Sequence, residues 1–156
     1  MPRHHERRSL PYPPEALFDL VADVRRYAEF LPWVVAVRVR SDTPTETVAD
    51  LIVGFKGLRE TFTSRVIKER ATRIDVDYVE GPLKYLRNAW RFEPAPGGCV
   101  VDFNVEFAFR NRVFEALAGQ VFDTALRKMI GAFEARAHAL YGAGDGISRS
   151  SAASAA

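Results

Sequence analysis

The chain has 156 residues, of which 47% are hydrophobic and 27% charged, and a formal charge of +2. That suffices for one domain, which at this size buries roughly 68–70% of its unfolded surface, and the charge is too small to argue by itself for a nucleic-acid partner. A single cysteine, Cys99, excludes an internal disulfide and a thiolate metal site, and no apolar run approaches the ~18 residues of a membrane span, so a cytoplasmic protein is expected.

Residues 3 to 8, Arg-His-His-Glu-Arg-Arg, are too polar for periodicity to assign. They read either as a solvated edge strand or arm, or as a patch for phosphates or anionic lipid. Pro13-Pro14-Glu15 opens a helix, because proline suits the first turn and an acid there favours the positive end of the dipole. Leu17, Leu20, Val21 and Val24 give that helix one buried stripe. Asp23 is expected to cap a second short helix carrying Tyr27, Phe30 and Leu31, which must end near Pro32.

After Trp33 the period changes to two. Val35, Val37 and Val39 alternate with Ala36, Arg38 and Arg40, and Ser41 to Thr45 supplies a turn. Ala49, Leu51, Val53 and Phe55 share one face of the next strand, and Gly54 to Gly57 reads as a hairpin. From Leu58 to Lys68 the apolar face carries Leu58, Phe62 and Val66, with Glu60 and Ser64 among them. A buried carboxylate is costly unless paired, so Glu60 belongs near the exposed sheet end or to a polar site. Ile74, Val76 and Tyr78 line a further strand. Gly81-Pro82 breaks it and leaves Leu83, Tyr85 and Leu86 in a basic loop, as a packed corner or the rim of an entrance. Asn88, Trp90 and Phe92 then share a face before Pro94 to Gly98 turns the chain.

The strand from Cys99 to Phe109 is the most regular, with Val101, Phe103, Val105, Phe107 and Phe109 on one face and Asp102, Asn104 and Glu106 on the other. It runs into an amphipathic helix from about Asn111 to Tyr141, ~45 Å long at ~1.5 Å per residue. The apolar band of this helix includes Phe114, Leu117, Val121, Met129 and Phe133. A helix of that length needs a large curved surface to cover, so a twisted antiparallel sheet wrapped around it is expected. Residues 142 to 156 turn to Gly, Ser and Ala and are expected to be disordered, which makes 1–141 a single domain.

There is no phosphate-cradling glycine motif, no nucleophile elbow and no metal-spaced His/Cys set. His4 and His5 are adjacent and His138 lies on the polar helix face, so no histidine is a good catalytic candidate. What remains is an inward set of large apolar residues: Phe55, Phe62, Tyr78, Trp90, Phe92, Phe103 and Phe107. They form either a solid core or the wall of an apolar pocket with few polar anchors, and the residues alone leave both readings open.

The order of Leu-Pro-Tyr at 10 to 12, Phe-Asp-Leu-Val-Ala-Asp-Val at 18 to 24, Tyr27 and Phe-Leu-Pro-Trp at 30 to 33 resembles the coenzyme Q-binding START-like family. Thr-Phe-Thr-Ser-Arg-Val at 61 to 66, Gly-Pro-Leu at 81 to 83, Trp90, Phe-Glu-Ala-Arg-Ala at 133 to 137 and Leu-Tyr-Gly at 140 to 142 extend the resemblance over nearly everything before the tail. It implies an α+β helix-grip fold: a curved antiparallel sheet, two short helices after the first strand, and a long C-terminal helix across the mouth. It also implies a non-enzymatic binder of a lipophilic small molecule, ubiquinone or a related lipid, with no required cofactor. On that reading Trp33, Leu51, Val53 and Phe55 would line the cavity. With them would stand Phe62, Tyr78, Trp90, Phe92, Phe103 and Phe107 from the sheet, and Phe114, Leu117, Val121 and Met129 from the helix. Glu60, Ser64 and Asn88 would be its polar anchors.

Bacterial relatives in that family are described as ribosome-association toxins, which adds a second reading. Here the large ribosomal subunit would meet the N-terminal basic run with Arg38, Arg40, Lys84, Arg87, Arg110 and Arg112. Transient contact with the inner-membrane surface accompanies the lipid reading, and DNA is not an expected partner. A cyclase-type enzyme is the third reading; it needs a titratable cluster in the cavity, for which only Glu60 stands out.

Overall fold

The computed structural model describes residues 3–55 and 57–142, less the side chains of Phe55 and Leu58. The expected disordered tail, apart from Gly142, lies outside the described residues. The described residues form seven strands: β1 (Arg3–Leu10), β2 (Val34–Asp42), β3 (Glu46–Phe55), β4 (Leu58–Glu69), β5 (Arg73–Glu80), β6 (Leu83–Ala95) and β7 (Gly98–Phe109). Between β1 and β2 lie α1 (Pro14–Ala22), a 3₁₀ turn (Val24–Arg26) and α2 (Tyr27–Phe30), and α3 (Arg112–Tyr141) ends the domain. One antiparallel sheet in the order β1-β7-β6-β5-β4-β3-β2 holds every strand. Consecutive strands from β2 to β7 are neighbours, while β1 crosses over to pair with β7 from Arg3↔Glu106 to Leu10↔Cys99. The polar run at 3 to 8 is therefore an edge strand whose backbone pairing, rather than its side chains, fixes its structure.

The sheet is curved, and irregularities between Val34/Ala36, Val39/Ser41, Thr63/Ser64 and Leu83/Tyr85 contribute to the bend, since an extra residue on one strand kinks it and sharpens its twist. Two glycines mark close approaches. A Cβ at Gly98 would stand 1.9 Å from the Leu10 carbonyl oxygen, so β1 can lie against the start of β7 only without one. Gly81, at φ +146°, turns β5 into β6 where a Cβ would meet the Thr61 carbonyl oxygen at 2.9 Å.

Two local expectations need correction. Asp23 makes no side-chain cap; its backbone carbonyl accepts from Arg26 N at 3.2 Å while its carboxylate faces the Arg26 guanidinium at 3.4 Å. Leu83, Tyr85 and Leu86 are not in a loop but in the first turnless stretch of β6, where Leu83 pairs with Phe109 and Leu86 with Phe107.

Helix α1 follows its sequence closely. Pro14 occupies its first turn, and Leu17, Phe18, Leu20 and Val21 are buried. With Tyr12, Val24, Ala49, Ile74, Phe92, Cys99 and Val101 they make a solid core at one end of the sheet, joined by Ala137 from α3. The start of α3 is capped by Asn111, whose side chain accepts from Val113 N at 2.8 Å and Phe114 N at 3.2 Å, and Glu115 Oε1 accepts from Phe109 N at 2.8 Å. Along its 30 residues only Leu126 and Ala137 are fully buried. A helix with so broad an apolar band and so little full burial stands away from the sheet beneath it.

Candidate functional site

The space under α3 is a cavity of about 510 Å³. Its floor is the concave face of the sheet, where strand alternation puts every second side chain. Trp33, Leu51, Val53 and Phe62 line it from the β2–β4 side, Trp90, Phe103 and Phe107 from β6 and β7, and Phe114, Leu117, Val121 and Met129 from α3. Glu60, Ser64 and Asn88 also face it. The placement of the Phe55 side chain lies outside the described residues.

Two expected residues are off the wall. Phe92 shares the face of Trp90 but lies further along β6, under α1 instead of α3; it is 2% exposed, with its ring edge-on to Phe18 at 5.9 Å between centroids. Tyr78 turns to the β5–β6 connection, where its hydroxyl accepts from Leu83 N at 2.9 Å.

The wall also has members outside the expected lining set, although periodicity puts most of them on buried faces. Val21, Val24, Tyr27 and Leu31 close the cavity from α1 and α2. Val66, Ile74, Val76, Leu83, Leu86 and Val105 extend its floor, and Ala118, Phe122, Ala125 and Phe133 its roof. At the core end, Trp90 packs against Phe103 at 4.5 Å and Phe133 at 5.5 Å. These three rings separate the cavity from a second space of about 60 Å³ between β1 and α3, which they also line. That outer space is closed by Arg8, which stands 2.6 Å from both Glu6 and Glu134.

The polar groups on the wall differ in how far they are committed. Asn88 Nδ2 donates to the Asn104 carbonyl at 2.8 Å and Asn88 Oδ1 accepts from the Trp90 indole at 3.2 Å, so this amide orients Trp90. The Tyr27 hydroxyl donates to the Val21 carbonyl. Burial, assisted by the Asp23 charge, pushes that phenol well above its ordinary value, which leaves it a neutral donor already in use. Ser64 and Glu60 make no side-chain hydrogen bond or ion pair among the described residues. Glu60 pairs with Val53 across β3–β4 near the 56–57 turn and is half-buried.

No three His, Cys, Asp or Glu side chains gather to hold a metal among the described residues. Cys99 is buried, and burial, with the Glu15 charge, pushes its thiol up to about 11, as suits a small packing residue at the head of a strand.

The basic residues considered for a partner surface are dispersed. Arg38 and Arg40 lie on the convex face, where both hold Asp50 Oδ2 at 3.1 Å. Asp50 is 1% exposed and also accepts from Thr63 Oγ1 at 2.7 Å. Burial alone would raise its carboxyl, but the bonds from Thr63, Arg38 and Arg40 outweigh that and hold it below the ordinary carboxylate value. Arg7 pairs with Asp102 at 3.0 Å, and Arg87 with Glu106 at 3.6 Å. Lys84 is on the first stretch of β6 and Arg110 follows the end of β7, where Arg110 Nε donates to the Leu83 carbonyl at 3.2 Å, and Arg112 opens α3. No described helix is long and apolar enough to cross a membrane.

A family model described as polyketide cyclase/dehydrase and lipid transport matches residues 10–134. The ribosome association toxin RatA of Rickettsia prowazekii is 39% identical over 132 residues, covering 82% of this chain and 90% of its own. The mitochondrial coenzyme Q-binding protein COQ10 homolog B of Xenopus laevis is 33% identical over 144 residues, covering 89% of this chain and 59% of its own. Among solved structures, an 18 kDa protein from Caulobacter crescentus is 41% identical with a TM-score of 0.72, covering 92% of this chain and 100% of its own. With its curved sheet gripping a long C-terminal helix, the chain belongs to the polyketide cyclase/dehydrase and lipid-transport family of START-like proteins.

Proposed function

We propose that the protein binds a lipophilic molecule of the ubiquinone type in the cavity under α3, without chemistry of its own, and so supports respiratory electron transport. The observation that carries this reading is the cavity itself, about 510 Å³ of almost wholly apolar space kept open in a domain that also has a solid core. Protein interiors are otherwise close-packed, and a void of that size forgoes contacts that an apolar ligand would restore. Each 100 Å² of ligand surface removed from water would contribute about 2.5 kcal/mol. The name of the Xenopus relative supports a quinone as the occupant. The test is mass spectrometry of an organic extract of protein purified without detergent, alongside a Trp90/Phe103 double alanine variant. A stoichiometric quinone or other lipid, lost in the variant, is expected; a wild-type protein that is empty and takes up no added quinone would refute the reading.

A second reading, association with the large ribosomal subunit to hinder translation initiation, is favoured by the name of the 39% identical relative from Rickettsia. Co-sedimentation with purified large subunits at low salt tests it, and failure to sediment would remove it. The two readings use different parts of the molecule and do not exclude one another.

A further inference from the structure

We infer that Glu60 makes the cavity selective for ligands whose head carries a hydrogen-bond donor, so that a hydroquinone binds more tightly than the corresponding quinone. This rests on the reading of the cavity as a lipophilic-ligand site and specifies the ligand class.

Glu60 is the one charged side chain on the cavity wall among the described residues. It stands on the inward face of β4 in line with Phe62, Ser64 and Val66, and opposite Val53. No described residue donates to it or pairs with it. Of the other polar groups on the wall, the Asn88 amide is held between Trp90 and Asn104 and the Tyr27 hydroxyl is held by Val21; Ser64 shares the lack of a side-chain partner among the described residues but carries no charge.

The chemistry of the wall then separates ligand classes. No Lys, Arg or His side chain among the described residues faces the cavity, so a fatty-acid carboxylate or a phosphate head would find no cation and would meet the Glu60 charge. A quinone offers only acceptor oxygens, and a carboxylate accepts but does not donate. A hydroquinone, a phenol or a long-chain alcohol supplies the missing donor, in the short and strong class of O–H to carboxylate hydrogen bonds. Ser64, four residues along the same strand face and therefore ~13 Å away, is too far to serve the same oxygen. A head held at Glu60, near the 56–57 turn, leaves the tail to run under α3 towards Trp90 and Phe133 at the core end.

The experiment is an equilibrium titration of the full chain with a decyl-tailed benzoquinone in its oxidised form and, anaerobically, in its reduced form. It is repeated with Glu60→Leu and Glu60→Gln. The unaltered protein is expected to bind the reduced form about tenfold more tightly, the low end of what a hydrogen bond to a charged group contributes. Glu60→Leu should abolish the preference, the affinity for the reduced form falling to that for the oxidised form, and a cooperative thermal melt checks that the variant is folded. Glu60→Gln, which can both donate and accept, should leave less than a threefold preference. Equal affinities for the two forms in the unaltered protein, or an undiminished preference in Glu60→Leu, would overturn the inference and leave the proposed function standing. Absence of binding by either form would overturn both.

Discussion

Two neighbouring aromatic residues on one face of β6 should differ on truncation, one costing chiefly stability and the other chiefly ligand affinity. Phe92 is 2% exposed and packed under α1, so Phe92→Ala removes atoms from a filled region that cannot collapse. The expected cost is about 3–5 kcal/mol, or roughly 10 °C in melting temperature for a domain of this size. Trp90 faces an existing space of about 510 Å³. Its removal leaves no new isolated void; what is lost is chiefly its ring packing on Phe103 and Phe133, about 2 kcal/mol together. A ligand, however, would lose an indole face of roughly 60 Å², worth ~1.5 kcal/mol and so about tenfold in Kd. Truncation also joins the main cavity to the 60 Å³ space beside β1. Urea denaturation gives the stability of each variant, and isothermal titration with a decyl-tailed benzoquinone gives the affinity. The reasoning fails if Trp90→Ala is as destabilising as Phe92→Ala while quinone affinity is unchanged.

The remaining predictions concern the convex face and α3. Asp50→Asn should cost roughly 2 kcal/mol at pH 7, because the bonds that Arg38, Arg40 and Thr63 donate to a carboxylate become weaker bonds to an amide. Asp50 has its folded value lowered, so its contribution is fully present above the ordinary carboxylate value of 3.8 and is lost as pH falls through the lower folded value. The gap between wild type and variant in urea melts should thus be flat from pH 7 to about pH 5 and close below pH 4; a gap that widens in acid would contradict the assignment. Gly131→Ala should stabilise the protein by about 0.5–1 kcal/mol, since helix propensity favours alanine, and a Cβ there meets no atom within 4 Å. A melt unchanged or lowered by this substitution would show that the glycine is needed. On the ribosome reading, a Lys84/Arg112 double alanine variant should flatten the slope of log K against log[salt] in subunit sedimentation by about 2, while Arg38/Arg40 variants, already committed to Asp50, change it little.

How much could be read from the chain differs by element. Val101 to Phe109 and the band of α3 were legible because one partner covers each along most of its length, so periodicity of 2 or 3.6 survives in the sequence. The start of β6 was hidden by its own bulge. Leu83 and Leu86 both face the cavity, an odd spacing that only a register shift allows, and with Gly81-Pro82 before them and Lys84 and Arg87 around them they read as a loop. β1 carries no pattern because it is an edge strand rich in charge, and only the resemblance supplied it. The candidate site divided along similar lines. Alternation placed Phe62, Trp90, Phe103 and Phe107 on the inward face, but it cannot say what covers that face, which is why Phe92 under α1 and Trp90 under α3 looked alike. Val21, Val24, Tyr27 and Leu31 were readable as buried, yet only the folded chain shows them closing a cavity. Asp50 gave no sign at all, because its neighbours Arg38, Arg40 and Thr63 come from two other strands.

The placement of α3 explains why an open cavity is compatible with a stable fold. Its N-terminal end is fixed by the Asn111 cap and the Glu115 bond to Phe109 N. Its C-terminal third is fixed by Phe133 against Tyr27 and Phe30, by Arg136 on Glu29 at 2.7 Å, and by the burial of Ala137. Between these anchors Leu117, Val121, Ala125 and Met129 span the cavity and rely on whatever fills it. The fold therefore draws its stability from the α1 end, where side chains are close-packed, and leaves the middle of the helix free to contact a ligand. An occupant that binds only the folded state adds to that stability by mass action, ~2.7 kcal/mol at a hundredfold excess over its Kd. The convex face is independent of this: its arginines are tied by Asp50, Asp102 and Glu106, none of which lines the cavity.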